Sequence, residues 1–308
     1  MWLPDATSLR VFRQCPELFR LRFRQHYAQA PDAKRDAGAA LHSALDAWFA
    51  RPVSDARAAI SALRVAMEPQ GAVYSPVGSL LAGKPPPRSL PHMERVLEGY
   101  MRVFPREQDH FRVVRNETYT EARIASAAGP FDYCAIVDRK ITLPDASVYI
   151  MDTKSTNRYV DEAFLKLARL DEQLIGNVAI ERANGKRCDG FYLDVVHMED
   201  RTQTVTPEHF KRHGPMLVPE WRVAQWAADV KWTLDEIARL EAARGVDKPW
   251  PLYHNWAWGR PDKTFWPFFE QPPELHGTLA AAFERRAWSP REVAQERKVL
   301  RALARLSE

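Results

Sequence analysis

The hydrophobic period of this chain changes near residue 111. Before that point apolar residues recur every three or four positions, the spacing of an amphipathic helix. In "DAGAALHSALDAWFA", Leu41, Ala44, Leu45, Trp48 and Phe49 fall on one helical face, and "HMERVLEGYMRVF" follows the same rule. Ser8 is placed to cap an earlier helix carrying Leu9 and Phe12, and Pro16 restarts the chain before "ELFRLRF". After residue 111 the pattern shortens to that of strands. "FRVVRNETYTEARIA", "FDYCAIVDRKITL" and "SVYIMDTK" are predicted as three successive strands, parted by Gly129-Pro130 and by Pro144-Asp145-Ala146. The helical period then returns. "VDEAFLKLARLDEQLIGNVAIERA" predicts one long amphipathic helix, "CDGFYLDVVHM" a further strand entered at Gly190, and "VTPEHFKRH" a helix with Thr206 as cap and Pro207 in its first position. Residues 219 to 244 and 287 to 306 are also predicted helical. "SPVGSLLAGKPPPRSLP", residues 75 to 91, is a loop or excursion by its proline and glycine content.

This order of elements implies an α/β protein: a mixed central sheet flanked by helices, with helical N-terminal and C-terminal additions. At 308 residues the chain can bury a substantial core, and we expect one domain spanning 1–308, its core at about 30–200 and a helical extension at about 205–308 packing back on the N-terminal helices. Composition alters little, since 45% hydrophobic and 27% charged residues are ordinary values for a globular protein. No apolar run reaches the length of a membrane span, and "MWLPDATSLRVFRQCPELF" has arginine where an export signal needs its apolar stretch. Three cysteines, Cys15, Cys134 and Cys188, are too far apart for a zinc motif and odd in number; with the rest, they predict a cytoplasmic protein. The net charge of +4 is concentrated early, in Arg10, Arg13, Arg20, Arg22, Arg24, Lys34 and Arg35 against Glu17 and Asp32. Such a cluster is either a set of solvated helix faces or a phosphate-binding surface.

Candidate chemistry centres on "YIMDTK". Asp152 and Lys154, two positions apart on a strand, project from the same face. By themselves they are equally a surface ion pair at a strand end, which is worth little. In a tight hairpin with "AIVDRK", Asp138 comes level with Asp152, and two close carboxylates repel unless a cation lies between them. Oxygen ligands of that kind suit Mg²⁺ or Mn²⁺, with substrate phosphate and water completing the shell. A neighbouring lysine can hold a phosphate oxygen or orient the attacking water. Gln173 shares a helical face with Asn177 and either positions a water or phosphate or is simply a solvated amide. His42, one turn after Gly38 on a helix whose Gly38, Ala39 and Ala40 permit a close approach, is either structural or a third ligand favouring Mn²⁺.

"SLRVFRQCPELFRLRF", "GAALHSALDAWF", "FDYCAIVDRKI", "YIMDTKS" and "EQLIGN", in this order and spacing over roughly residues 8 to 195, resemble the PD-(D/E)XK nuclease superfamily. The likeness is to its RecB-like branch of recombination-helicase nuclease domains, phage exonucleases and CRISPR-associated exonucleases. The resemblance implies a restriction-endonuclease-like fold. It implies that His42, Asp138, Asp152 and the backbone carbonyl of Thr153 bind metal, that Asp138, Asp152, Lys154 and Gln173 form the catalytic set, and that Glu117 is an accessory acid. Asn177 stands where the family commonly has tyrosine. Many relatives hold an iron–sulfur cluster on four cysteines; Cys15 matches the first, but Trp258 and Trp266 stand about where later ones belong, before Pro267-Phe268, so no cluster is expected. Eight of the ten tryptophans follow residue 220, which suits aromatic packing in its place or stacking on single-stranded bases.

The expected activity is that of a Mg²⁺- or Mn²⁺-dependent deoxyribonuclease, an exonuclease of recombination, repair or phage replication, acting on single-stranded or duplex DNA ends beside a recombination or replication protein. The competing reading is an inactive nuclease fold kept for DNA binding or protein docking. A phosphate-metabolising α/β enzyme is disfavoured because neither GxGxxG nor GxxxxGK[ST] occurs.

Overall fold

The computed structural model describes residues 2–27, 33–50, 53–67, 88–127, 129–158, 160–198, 204–251, 281, 289–292 and 294–295. In chain order its helices and strands are α1 (Ala6–Gln14), α2 (Pro16–Phe19, continued by a π turn at Arg20–Arg24), α3 (Ala33–Phe49), α4 (Ala56–Met67), α5 (Leu90–Val103), β1 (Arg112–Ser126), β2 (Gly129–Thr142) and β3 (Val148–Thr156). There follow α6 (Glu162–Ala168), α7 (Glu172–Ala183), β4 (Gly190–His197), β5 (Phe210–Leu217) and α8 (Glu220–Arg244). The chain divides into two units. One comprises Met1–Ala30, Thr120–Ala135 and Glu220–Pro290; the other comprises Pro31–Tyr119, Ile136–Pro219 and Arg291–Glu308.

In the first unit, α1 opens with a reciprocal cap: the Asp5 carboxylate accepts from the Ser8 amide at 2.8 Å while the Asp5 amide donates to Ser8 Oγ at 3.0 Å. The helix therefore starts earlier than the serine suggested. Asp5 is its cap, and Ser8 is the buried third residue that closes the box. Phe12, Phe19 and Trp250 form the aromatic centre, with Trp250 stacked on Phe19 at 6.1 Å and edge-on to Phe12 at 6.5 Å. A buried Arg20–Glu17 pair lies beside them, Arg20 also donating to the Val246 carbonyl and Glu17 accepting from the Trp250 amide. Much of the basic N-terminal cluster is used in this way. Arg13 binds Thr233 and Arg24 binds Glu241, so these arginines hold the unit together instead of forming a solvated stripe. Trp258, Trp266, Pro267 and Phe268 lie outside the described residues, as do most of the loop at 75–91 and most of the helix expected at 287–306.

The second unit holds most of a five-stranded sheet of order β1-β2-β3-β4-β5, residues 120–135 of β1 and β2 being counted with the first. β2 runs antiparallel to β3, β3 parallel to β4, and β4 antiparallel to β5, so the sheet is mixed. The parallel step needs a crossover, which α6 and α7 supply. The apolar faces of α3, α4 and α5 meet one side of the sheet through Leu41, Trp48, Leu97 and Tyr100 against Ile141, Met151 and Val196. α7 packs on β3 and β4. At Gly38 an added Cβ would stand 3.0 Å from Ser155 Oγ, so α3 approaches the end of β3 closely at this glycine.

Two predicted helices are corrected. The long helix after β3 is two, because Asp171 accepts from the Gln173 and Leu174 amides and caps α7 afresh. The break at 169–171 is only three residues long, and the apolar spacing of the sequence alone does not reveal it. "VTPEHFKRH" makes a single 3₁₀ turn at Pro207–His209, with Thr206 and His209 boxed as a helix start would be. From Phe210 onward the chain instead becomes β5 and pairs with β4 from Val196↔Phe210 to Gly190↔Leu217. Gly214-Pro215 could not continue a helix, and pairing to an otherwise open β4 edge overrides the local start signal.

Candidate functional site

The ladder between β2 and β3 runs from Thr142↔Val148 to Arg139↔Met151. One step further along the same register Asp138 is level with Asp152. There a side chain takes over from the ladder, since Asp138 Oδ2 accepts the Thr153 amide at 2.8 Å. The other oxygen, Oδ1, meets His42 Nδ1 of α3 at 3.2 Å. Across from it Asp152, 2% exposed, has Lys154 Nζ 2.9 Å from its Oδ2. The same ammonium donates to Gln173 Oε1 at 2.9 Å, so the first turn of α7 braces the lysine. The hairpin, α3 and the α7 N-terminus therefore bring His42, Asp138, Asp152, Lys154 and Gln173 to one place. Asn177 is buried one turn beyond Gln173, its amide nitrogen without a hydrogen-bond partner among the described residues.

The two acids are electrostatically unlike. Burial pushes the Asp152 carboxyl above the usual carboxylate range; Asp138 adds to the effect, and Lys154 only partly offsets it. For Asp138 burial acts in the same direction, but His42, Arg139 and the Thr153 amide together outweigh it and hold its pKa well below the ordinary value. Burial alone would lower the Lys154 pKa, yet Asp152, Asp171 and Asp138 raise it above that of a free lysine. Two carboxylates level with each other, Asp152 buried and Asp138 half-buried, the first held above its usual range, are a donor set that a hard divalent cation relieves. Among the described residues no trio of His, Cys, Asp or Glu side chains stands in ready ligand geometry. Glu117 lies in β1, buried, with a left-handed φ of 36° that costs a non-glycine residue energy.

A network of side chains not foreseen from sequence sits behind this face. Strand alternation turns Arg139 and Thr153 away from Asp138, Asp152 and Lys154. Arg139 binds the Thr153 hydroxyl, and both contact Asp194 Oδ2 at 3.3 Å. Asp194 is fully buried on β4 and also accepts the Tyr100 hydroxyl at 2.6 Å and Arg212 Nε at 3.4 Å. Arg212 continues to Asp109 at 2.6 Å, and the guanidinium groups of Arg139 and Arg106 lie over the Phe49 ring at 4.3 and 4.6 Å. Asp171 was also unforeseen, and it is the residue that aims Gln173. Two signals were available: a lone acid in the apolar run "FYLDVV", and an aspartate just before a helical run.

A family model for the PD-(D/E)XK nuclease superfamily matches residues 6–247. No curated protein matches the chain. The five-stranded mixed sheet with its flanking helices is the restriction-endonuclease-like arrangement, and the matched span contains every site residue named above.

Proposed function

The chain belongs to the PD-(D/E)XK nuclease superfamily, and on that premise we propose that it is a metal-dependent deoxyribonuclease of the RecB-like branch, trimming DNA ends in recombination, repair or phage replication. The observation that carries the reading is the pairing of Asp138 with Asp152 where β2 and β3 part, with Lys154 held between Asp152 and Gln173. His42, Asp138, Asp152 and the Thr153 backbone carbonyl would hold Mg²⁺ or Mn²⁺, oxygen donors plus one imidazole being suited to either. A bound ion supplies Lewis-acid stabilisation of charge at the scissile phosphate. The chain's own groups do the rest. Lys154 sets an ammonium against the charge that builds on the phosphate. Gln173 fixes the direction of that ammonium, and the Thr153 amide fixes the Asp138 carboxylate. Glu117, strained and buried, is assigned as an accessory acid of the same site.

One observation favours the inactive alternative: each acid already has a partner within the protein, His42 for Asp138 and Lys154 for Asp152. The two readings separate on end-labelled single-stranded and duplex DNA incubated with Mg²⁺, Mn²⁺ or EDTA, for the natural chain and Asp152→Ala. Metal-dependent shortening that the variant lacks is expected, with Mn²⁺ binding by calorimetry weakened in parallel. Cleavage that survives EDTA, or a variant that cuts at the natural rate, would overturn the assignment. Metal binding and DNA binding with no turnover on any substrate would establish the inactive reading.

A further inference from the structure

The sheet face that bears Asp152 and Lys154 continues across two more strands. Residues level with each other in neighbouring strands project to the same side. Lys154 is level with Val195 and Thr156 with His197 on β4, and Val195 is in turn level with Lys211 on β5. Lys154, Val195 and Lys211 thus form one row, with His197 one row beyond. At the usual strand spacing the two lysine backbones lie roughly 10 Å apart, a separation that a nucleotide or two of extended strand spans. His213, the next residue of β5 on this face, is level with Leu193 in the row of Asp152.

Around Lys211 the chain forms a small open hollow of about 20 Å³, lined by Val160, Val195, His197, Glu208, His209 and Lys211. The His197 and His209 rings stack in it at 5.5 Å and 19°. His209 Nδ1 is held against Thr206, 3.1 Å from its amide nitrogen, 2.9 Å from its hydroxyl and 3.2 Å from its carbonyl oxygen, so the ring is anchored on that side and Nε2 is left on the other. An imidazole anchored through Nδ1 can present an Nε2–H donor to an anion. Lys211 Nζ reaches the Val160 carbonyl at 3.4 Å, and this contact tethers the ammonium at the wall of the hollow. Glu208, the one acid lining the hollow among the described residues, is ionised on the rim, its carboxyl lowered by a hydrogen bond with Thr206.

We propose that this hollow is a phosphate subsite, one that binds a backbone phosphodiester of the nucleic-acid strand whose neighbouring phosphate lies at Lys154. The proposal rests on the nuclease reading for the identity of its ligand. Lys211 supplies the charge, His209 the directional donor and His197 the stacking partner that keeps His209 in place. Glu208 opposes the anion and sets an upper limit on the affinity.

The test is equilibrium binding of a fluorescein-labelled single-stranded oligodeoxynucleotide to the full chain, read by anisotropy in Ca²⁺ over a series of salt concentrations. Natural protein is compared with Lys211→Gln and with Glu208→Gln, each first checked for an unchanged melting curve. Lys211→Gln is expected to weaken binding about 3- to 10-fold near 0.1 M salt and to flatten the slope of log K against log salt by about 0.7. Glu208→Gln is expected to move the other way, tightening binding about 2- to 5-fold, since it removes a like charge from the phosphate. A general loss of fold cannot produce opposite signs. Both variants binding like the natural chain, with an unchanged slope, would overturn the subsite, and so would a natural chain that does not bind the oligonucleotide. Binding with the expected pattern but no metal-dependent cleavage would leave the subsite standing and remove the catalytic reading alone.

Discussion

Replacing Tyr100 by phenylalanine removes one oxygen from the centre of the buried network behind the site and leaves the ring where it is. The hydroxyl donates to Asp194 at 2.6 Å and accepts from Arg212 at 3.0 Å, and Tyr100 is completely buried. Burial and the neighbouring Asp194 both push the phenol pKa up, so the group is a donor throughout the working pH range. Because the ring volume is kept, the cavity cost is small, and the loss is that of one hydrogen bond to a charged group, about 2 kcal/mol. Asp194 retains Arg139, Thr153 and Arg212, so it is not left without partners. Asp194→Asn is a harsher change. It removes the charge that faces both guanidinium groups in a buried setting, which costs about 3–5 kcal/mol. Once that charge is gone the tyrosine hydroxyl has less to hold, so the double variant should be more stable than the sum of the single losses implies, by at least about 1 kcal/mol. Urea unfolding followed by both tryptophan fluorescence and circular dichroism measures all four corners of the cycle, and for the tyrosine variant alone the melting temperature should fall by roughly 4–8 °C. A Tyr100→Phe protein within about 0.5 kcal/mol of the natural chain, or strictly additive losses, would show that the hydroxyl is not coupled to Asp194 and that the network is a set of independent contacts.

Gly190→Ala should fail more completely, because the new Cβ would lie 2.0 Å from the Met216 carbonyl oxygen and 2.9 Å from the Leu217 Cα, backbone atoms that cannot step aside. A loss of about 3 kcal/mol or more is expected, and a near-natural melting temperature would mean that β5 is not held this close to β4. Asp171→Ala deletes the cap of α7 and should cost about 1 kcal/mol, with Asp171→Asn recovering most of it; equal losses in the two variants would count against the capping role. All three cysteines are buried, and burial pushes the Cys188 thiol up to about 11. Its thiolate at pH 8 is then roughly a hundredfold scarcer than for an exposed cysteine, so native protein should react negligibly with a disulfide reagent while denatured protein reacts at every cysteine. A fast native thiol would contradict this burial.

The parts of the site legible in the sequence are those carried by a short stretch of backbone. Asp152 and Lys154 share a face because strands alternate, Asp138 follows from a hairpin with a short turn, and Gln173 lies in the helical run that follows the strand. His42 was reachable because Gly38 and its small neighbours mark a close approach, which the 3.0 Å allowance at Ser155 explains. The missed features share a different origin. Whether α6 and α7 are one helix or two is decided by a single carboxylate, which the apolar spacing on either side does not reveal. β5 could not be foreseen because "VTPEH" is a valid helix start, and only the open edge of β4, far away in sequence, draws Phe210 onward into the sheet. The Asp194 network joins Tyr100, Arg139, Thr153 and Arg212 from four elements, and no local pattern records such a convergence.

The same alternation that makes the site legible also binds it to what was hidden. Along β2 and β3 the sequence interleaves two sets of residues: Asp138, Asp152 and Lys154 toward one face, Arg139 and Thr153 toward the other. Thr153 belongs to both, its amide holding the Asp138 carboxylate while its hydroxyl is held by Arg139 and Asp194. A shift of the buried network is therefore a shift of the peptide unit that orients one of the two acids, with no side chain between to absorb it. Cores of this density have few small displacements available to them. The ionic layer behind the sheet thus sets the rigidity of the carboxylate pair in front of it, and substitutions at Tyr100 or Asp194 should reach the site through Thr153 before they unfold the chain.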